Sequence, residues 1–101
     1  MKHVFISQPI NGKTDDEVFL ERESAIVKIL EKISEEVVVL DSFILDDAPK
    51  NSNVGLWYLG KSIEILSEAD FAYFVKGWNK ARGCVIEHEC AEKYGIEIIE
   101  E

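Results

Sequence analysis

Four short apolar runs alternate along the chain with three longer segments of helical periodicity. They are HVFIS at residues 3–7, EVVVL at 36–40, DFAYFV at 70–75 and IEII at 96–99. Each run is short, and rich in β-branched and aromatic side chains, which marks strands. Nearly continuous apolar strands are buried on both faces, and the segments between them supply the cover. The order therefore predicts an α/β fold: a three-layer, doubly wound, flavodoxin- or Rossmann-like parallel sheet of four or five strands with helices on both faces. With 101 residues, 47% of them apolar, one domain spanning 1–101 is expected.

The helices carry local signals. Thr14 followed by Glu17 forms a capping box, so a helix should open there and run to about Ile33. Val18, Phe19, Ala25, Ile26, Ile29, Leu30 and Ile33 recur along it with a 3.6-residue period. Residues 54–69 read as a second helix, with Leu56, Leu59, Ile63 and Leu66 on one side. Cys84 to Tyr94 reads as a third, and Gly95 stands where a C-terminal capping glycine belongs. Residues 41–53, with three aspartates, Pro49 and two asparagines, read mostly as loop.

Charge excludes several partners. A net charge of −9 argues against nucleic acid and against an anionic membrane surface, both of which are met by basic protein faces. No stretch of 18 apolar residues exists to span a bilayer, and the N-terminus lacks a signal-peptide layout, so a cytoplasmic location is expected. Against this acidic background Lys76, Lys80 and Arg82 fall close together with no acid between them. That run is either a solvated loop or a local anion site suited to a nucleotide phosphate. Cys84 and Cys90 lie too far apart on one helix to bridge each other, so reduced thiols are expected. Cys84 and His88 could share a helix face, but two ligands do not make a metal site, and neither metal nor cofactor is expected.

In a doubly wound sheet, ligands bind beyond the carboxyl ends of the strands, where helix N-termini point. The loops landing there are 8–13, with Gln8, Asn11 and Gly12, and 76–83, with Trp78, Arg82 and Gly83. The amides of Gln8 and Asn11 suit a base or sugar, although turn chemistry alone accounts for Asn11. The backbone N–H groups of 12–14 lie at a helix N-terminus and could hold a phosphate. Trp78 either packs as a lid on the core or stacks on a planar base. Glu87, four residues past Gly83, is either a surface helix glutamate or a carboxylate facing the pocket as nucleophile, base or cation stabiliser. Asp70 opens the third strand. It is either a strand-edge residue or a second active carboxylate, and the latter needs the chain bent or bulged toward the pocket.

VFISQPING, EADFAYFVKGW and RGCVIEHECAEKYG together resemble the nucleoside 2-deoxyribosyltransferase-like proteins. The likeness is to a small bacterial and phage branch related to the 2'-deoxynucleoside 5'-phosphate N-hydrolases. Its most specific element is Gly83, Glu87, Ala91 and Gly95 at four-residue intervals. The resemblance implies cleavage or transfer of the N-glycosidic bond of a nucleoside or nucleotide. Glu87 would be the nucleophile on the anomeric carbon and Asp70 the acid assisting the base. The loop containing Gln8, Asn11 and Gly12 would meet sugar or phosphate. It also implies a homodimer or higher homo-oligomer, which suits so short a chain.

Three positions depart from the pattern. Phe5 stands where a first-strand tyrosine would orient the glutamate, Ala81 where transferases carry an aspartate, and Glu89 where glycine is common. Phe5 and Ala81 favour an alternative, a catalytically silent nucleotide-binding or sensing module. A third possibility is a scaffold whose acidic surface meets a protein partner.

Overall fold

The computed structural model describes residues 1–42 and 44–101, and within it four strands form one all-parallel sheet. They are β1 (Lys2–Ser7), β2 (Val37–Val39), β3 (Phe71–Phe74) and β4 (Glu97–Glu100), in the spatial order β2-β1-β3-β4. The register sets Ser7 beside Phe74 and Phe74 beside Glu100, so the strands end almost level. Three helices make the crossovers: α1 (Asp15–Lys32), α2 (Val54–Leu66) and α3 (Arg82–Lys93).

Strand alternation sorts the core into two layers. Val4, Ile6, Tyr73 and Val75 face one side of the sheet and pack against Ala25 and Ile29 of α1 and Ile33 at its C-cap. Phe5, Ala72 and Phe74 face the other side and meet Leu66 of α2 and Ala91 of α3. The expected three-layer, doubly wound fold is therefore what forms. Each of the large side chains removed from water here contributes on the order of 2 kcal/mol. Connections leave β1 toward one sheet edge and β3 toward the other, so a crevice opens between the carboxyl ends of these two strands.

Local chemistry sets the boundaries, with small departures from the expected ones. The Thr14 capping box is complete: Glu17 N donates to Thr14 Oγ1 at 3.1 Å and Thr14 N to Glu17 Oε1 at 3.1 Å. The second helix stops at Leu66, three residues early. There the Ser67 hydroxyl donates to the Glu64 carbonyl, and Glu68 N and Ala69 N donate to carbonyls three residues back, tightening the last turn. The third helix starts at Arg82, two residues early, so Arg82 and Gly83 belong to its first turn rather than to the loop. Gly95 has φ +75, the left-handed conformation its capping position favours. Described residues between β2 and α2 form neither helix nor strand, and Phe43 lies outside the description.

The periodic stripe of α1 is only half buried. Phe19 and Leu30 point to solvent together with Leu20 and Val27, while Arg22 takes a place among the buried positions. Among the described residues no helix is long and apolar enough to cross a membrane.

Candidate functional site

Ser7 closes β1 on the same side as Phe5, facing α2 and α3. Its hydroxyl donates to Glu87 Oε1 at 2.6 Å. Glu87 shares a helical stripe with Cys84 and Ala91, three residues before it and four after, and that stripe is the buried side of α3. The carboxyl thus faces the sheet edge, with Ser7 only 1% and Glu87 only 7% exposed. Burial pushes its pKa up from 4.5 to about 7, against the Ser7 hydrogen bond, which favours the ionised form. The Cys84 thiol is raised in the same way, chiefly by burial and in part by the Glu87 charge beside it.

Two lobes of one crevice meet at Glu87. The smaller, about 290 Å³, lies toward α1 and includes Phe5, Arg22, Ser42, Tyr58 and Ser62. The larger, about 720 Å³, lies toward the start of α3 and includes Asn11, Gly55, Lys80, Arg82 and Gly83. Glu87 is the one acidic side chain among the described residues that line either lobe, whereas three cations do so. The chain concentrates positive charge at this crevice although its total charge is −9.

Of the three helix starts, α3 alone lacks a side-chain cap. Thr14 caps α1 and Asn53 caps α2, its Oδ1 accepting from Leu56 N at 3.0 Å, but Ala81 offers nothing. The first N–H groups of α3 therefore remain for another acceptor. Arg82 crosses the start of α2 at Gly55: a Cβ there would stand 3.3 Å from its Nη2, so the glycine gives the guanidinium room.

The expected site residues divide. Gln8, Asn11, Arg82, Gly83 and Glu87 gather at the crevice. Gln8 lines both lobes, and its Nε2 donates to the Val18 carbonyl at 2.7 Å, tying the first loop to α1. Gly12 sits exposed at the turn beside the crevice and lines neither lobe. The N–H of Lys13 is engaged by Ile10 O and that of Thr14 by Glu17, so the phosphate-holding role considered for this turn has fewer free donors than the start of α3. Trp78 packs against the α2–α3 core layer, stacked on His88 at 4.1 Å and 5.5 Å from Phe74, and does not line the crevice.

Asp70 lies at the opposite, amino end of the strands. Its Oδ2 accepts from His3 N at 2.8 Å, and β3 leaves it in regular parallel pairing, without the bend or bulge that a pocket role requires. The four residue steps to Phe74 place it about 13 Å down the strand from the crevice end. The His3 N–H lowers its pKa, as do Lys2 and the His3 side chain.

Sequence reasoning passed over Ser7, Arg22 and Tyr58. Ser7 was visible as a polar end to an apolar strand, two residues from Phe5 and hence on its side. Arg22 was visible as a charge within the Val18–Ala25–Ile29 stripe; it donates to the Leu40 carbonyl at 3.0 Å and Ser42 Oγ at 3.3 Å. The Tyr58 hydroxyl donates to the Asp46 carbonyl at 3.2 Å, a long-range contact with no local signal. Among the described residues no three potential metal ligands cluster.

A family model described as a domain of unknown function (DUF4406) matches residues 2–100 of the chain. No curated protein and no solved structure matches it.

Proposed function

We propose that the chain, which belongs to the DUF4406 family, cleaves or transfers the N-glycosidic bond of a deoxynucleoside or deoxynucleotide, with Glu87 as the nucleophile. The observation that carries this reading is the Glu87 carboxyl: buried, hydrogen-bonded to Ser7 at 2.6 Å, and set where the two lobes of the crevice meet. A sugar over Glu87 would send its base into one lobe and its 5'-substituent into the other. Lys80, Arg82 and the uncapped start of α3 suit a phosphate, so hydrolysis of a nucleotide is favoured over transfer. The resemblance to the nucleoside 2-deoxyribosyltransferase-like proteins supports the same assignment.

In the reaction a Glu87 oxygen bonds to the anomeric carbon as the carbon–nitrogen bond breaks, and the bonding pair leaves with the base. The base takes its proton from water, because no second carboxylate lines the crevice among the described residues. Water then cleaves the glycosyl ester, losing its proton to the hydroxide left when the base was protonated, which frees the sugar and restores the carboxylate. The ionised form attacks, so the rate should rise with pH through about 7 and level off above it.

The test is release of free base, read by chromatography, from a panel of 2'-deoxynucleosides and their 5'-monophosphates. The expected result is release from at least one monophosphate, abolished in Glu87→Ala with the fold intact. The lone carboxylate, together with Phe5 and Ala81, favours a second reading, a silent nucleotide-binding or sensing module. Saturable binding of a nucleotide with no base released would select it. A homodimer or higher homo-oligomer belongs to the same proposal. Phe19, Leu20, Val27 and Leu30 leave α1 with an exposed apolar stripe for a second copy to cover, and light scattering of the purified protein reads the mass directly.

A further inference from the structure

The expected orienting hydroxyl is missing from position 5, yet Glu87 is held by a hydroxyl all the same. We propose that Ser7 is the positioning residue of this site: its hydroxyl anchors Glu87 through Oε1 and leaves Oε2 as the oxygen that meets the ligand. This rests on the reading of Glu87 as the reacting carboxylate.

Three features of the structure carry the assignment. The contact is a 2.6 Å hydrogen bond between two side chains both more than nine-tenths buried, within the short range of charge-assisted O–H···O bonds. The donor is mounted on the sheet rather than on a loop: Ser7 pairs with Phe74, and Val75 N donates to the Ser7 carbonyl at 3.0 Å. A group held by a central strand keeps its direction better than one on a mobile segment. Third, strand periodicity puts residues 5 and 7 on one side, so Ser7 offers its hydroxyl one pleat nearer the crevice, at the level where α3 presents Glu87. A serine hydroxyl has one proton to give, and here Glu87 takes it.

The experiment compares Ser7→Ala and Ser7→Thr with the native protein. Carbon-13 NMR titration of the side-chain carboxyls, with Glu87→Gln identifying the Glu87 signal, reads the contact without any substrate. Base-release kinetics read its consequence. The other titratable and charged groups lining the crevice with Glu87 are Arg22 from α1, Tyr58 from α2, Lys80 and Arg82 ahead of and at the start of α3, and Cys84 one turn earlier on α3. All are retained in both Ser7 variants. In Ser7→Ala the Glu87 midpoint should move above its native value, and kcat should fall about 10- to 100-fold with KM little changed. Ser7→Thr keeps the hydroxyl beside an open lobe and should restore both. An unmoved midpoint in Ser7→Ala overturns the proposal, as does a Ser7→Thr protein that titrates like Ser7→Ala. Should the native protein release no base, the functional reading fails on its own, and the titration still decides for or against Ser7.

Discussion

Glu87 and Asp70 are two carboxylates at opposite ends of the central strands, and their surroundings pull them in opposite directions. Glu87 lies under α3 at the carboxyl ends of the strands, where burial raises its pKa to about 7. Asp70 lies in solvent at the amino ends, where the His3 N–H holds its pKa below the ordinary value. One site destabilises its charge and keeps a cavity in front of it. The other stabilises its charge and uses it to tie β3 to β1. A carboxylate kept close to neutrality in a crevice is poised for chemistry, whereas one fixed in its ionised form by a backbone donor is poised for structure.

The sharpest way to break this contrast is activity. Glu87→Ala should abolish base release, a loss of three orders of magnitude or more by analogy with other nucleophile deletions. Asp70→Asn should leave release within about twofold, since a residue about 13 Å from the crevice end touches no ligand there. A reversed ranking, measured on the same nucleotide, would overturn the assignment of the two strand ends.

Stability separates them next. Between the ordinary carboxylate pKa and about 7, the folded state binds a proton at Glu87 that the unfolded chain has already lost. Its contribution is therefore fully present below pH 4.5 and lost as pH rises through about 7. A displacement from 4.5 to about 7 is worth roughly 3 kcal/mol at 1.36 kcal/mol per unit. Glu87→Gln removes that dependence. Urea unfolding at pH 5 and pH 8 should show the variant gaining on the native protein by up to about 3 kcal/mol at the higher pH. A constant difference between the two proteins would mean that Glu87 is not desolvated.

The crevice offers an intermediate effect. Arg82→Ala removes a guanidinium from the larger lobe without touching Glu87. KM for a 5'-monophosphate should rise about tenfold, the size of one charge-assisted contact, while a nucleoside lacking the phosphate is unaffected. Equal losses on both substrates would remove the phosphate from the proposal.

How much of this contrast the sequence reveals depends on the range of each interaction. The α1 start is legible because the capping box spans four residues, and the sheet is legible because its strands are continuous apolar runs. The exact start of α3 is not, since it begins without a side-chain cap. Glu87 stands out through its spacing with Gly83, Ala91 and Gly95, but its partner Ser7 is 80 positions away, and only folding brings them together. Asp70 is legible as the head of β3. As the head of a strand in a parallel sheet it belongs at the amino end, away from the crevice, and the regular pairing of β3 supplies no bulge to bring it round.

The smallest effect tests the structural half of the contrast. The Asp70 pKa is lowered, so its contribution to stability is present above the ordinary carboxylate pKa and lost as pH falls below it. That is the opposite slope to Glu87. Asp70→Asn keeps an acceptor for the His3 N–H but removes the charge, so the variant should lose slightly to the native protein at neutral pH and match it in acid. Added salt should narrow the gap, because Asp70 and the His3 side chain, whose Nδ1 lies 3.6 Å from its Oδ2, are both exposed to solvent. A loss that persists unchanged at low pH would assign Asp70 a packing role instead. A loss confined to ligand-bound protein would bring the residue back toward the crevice, and with it the second carboxylate that the resemblance implies.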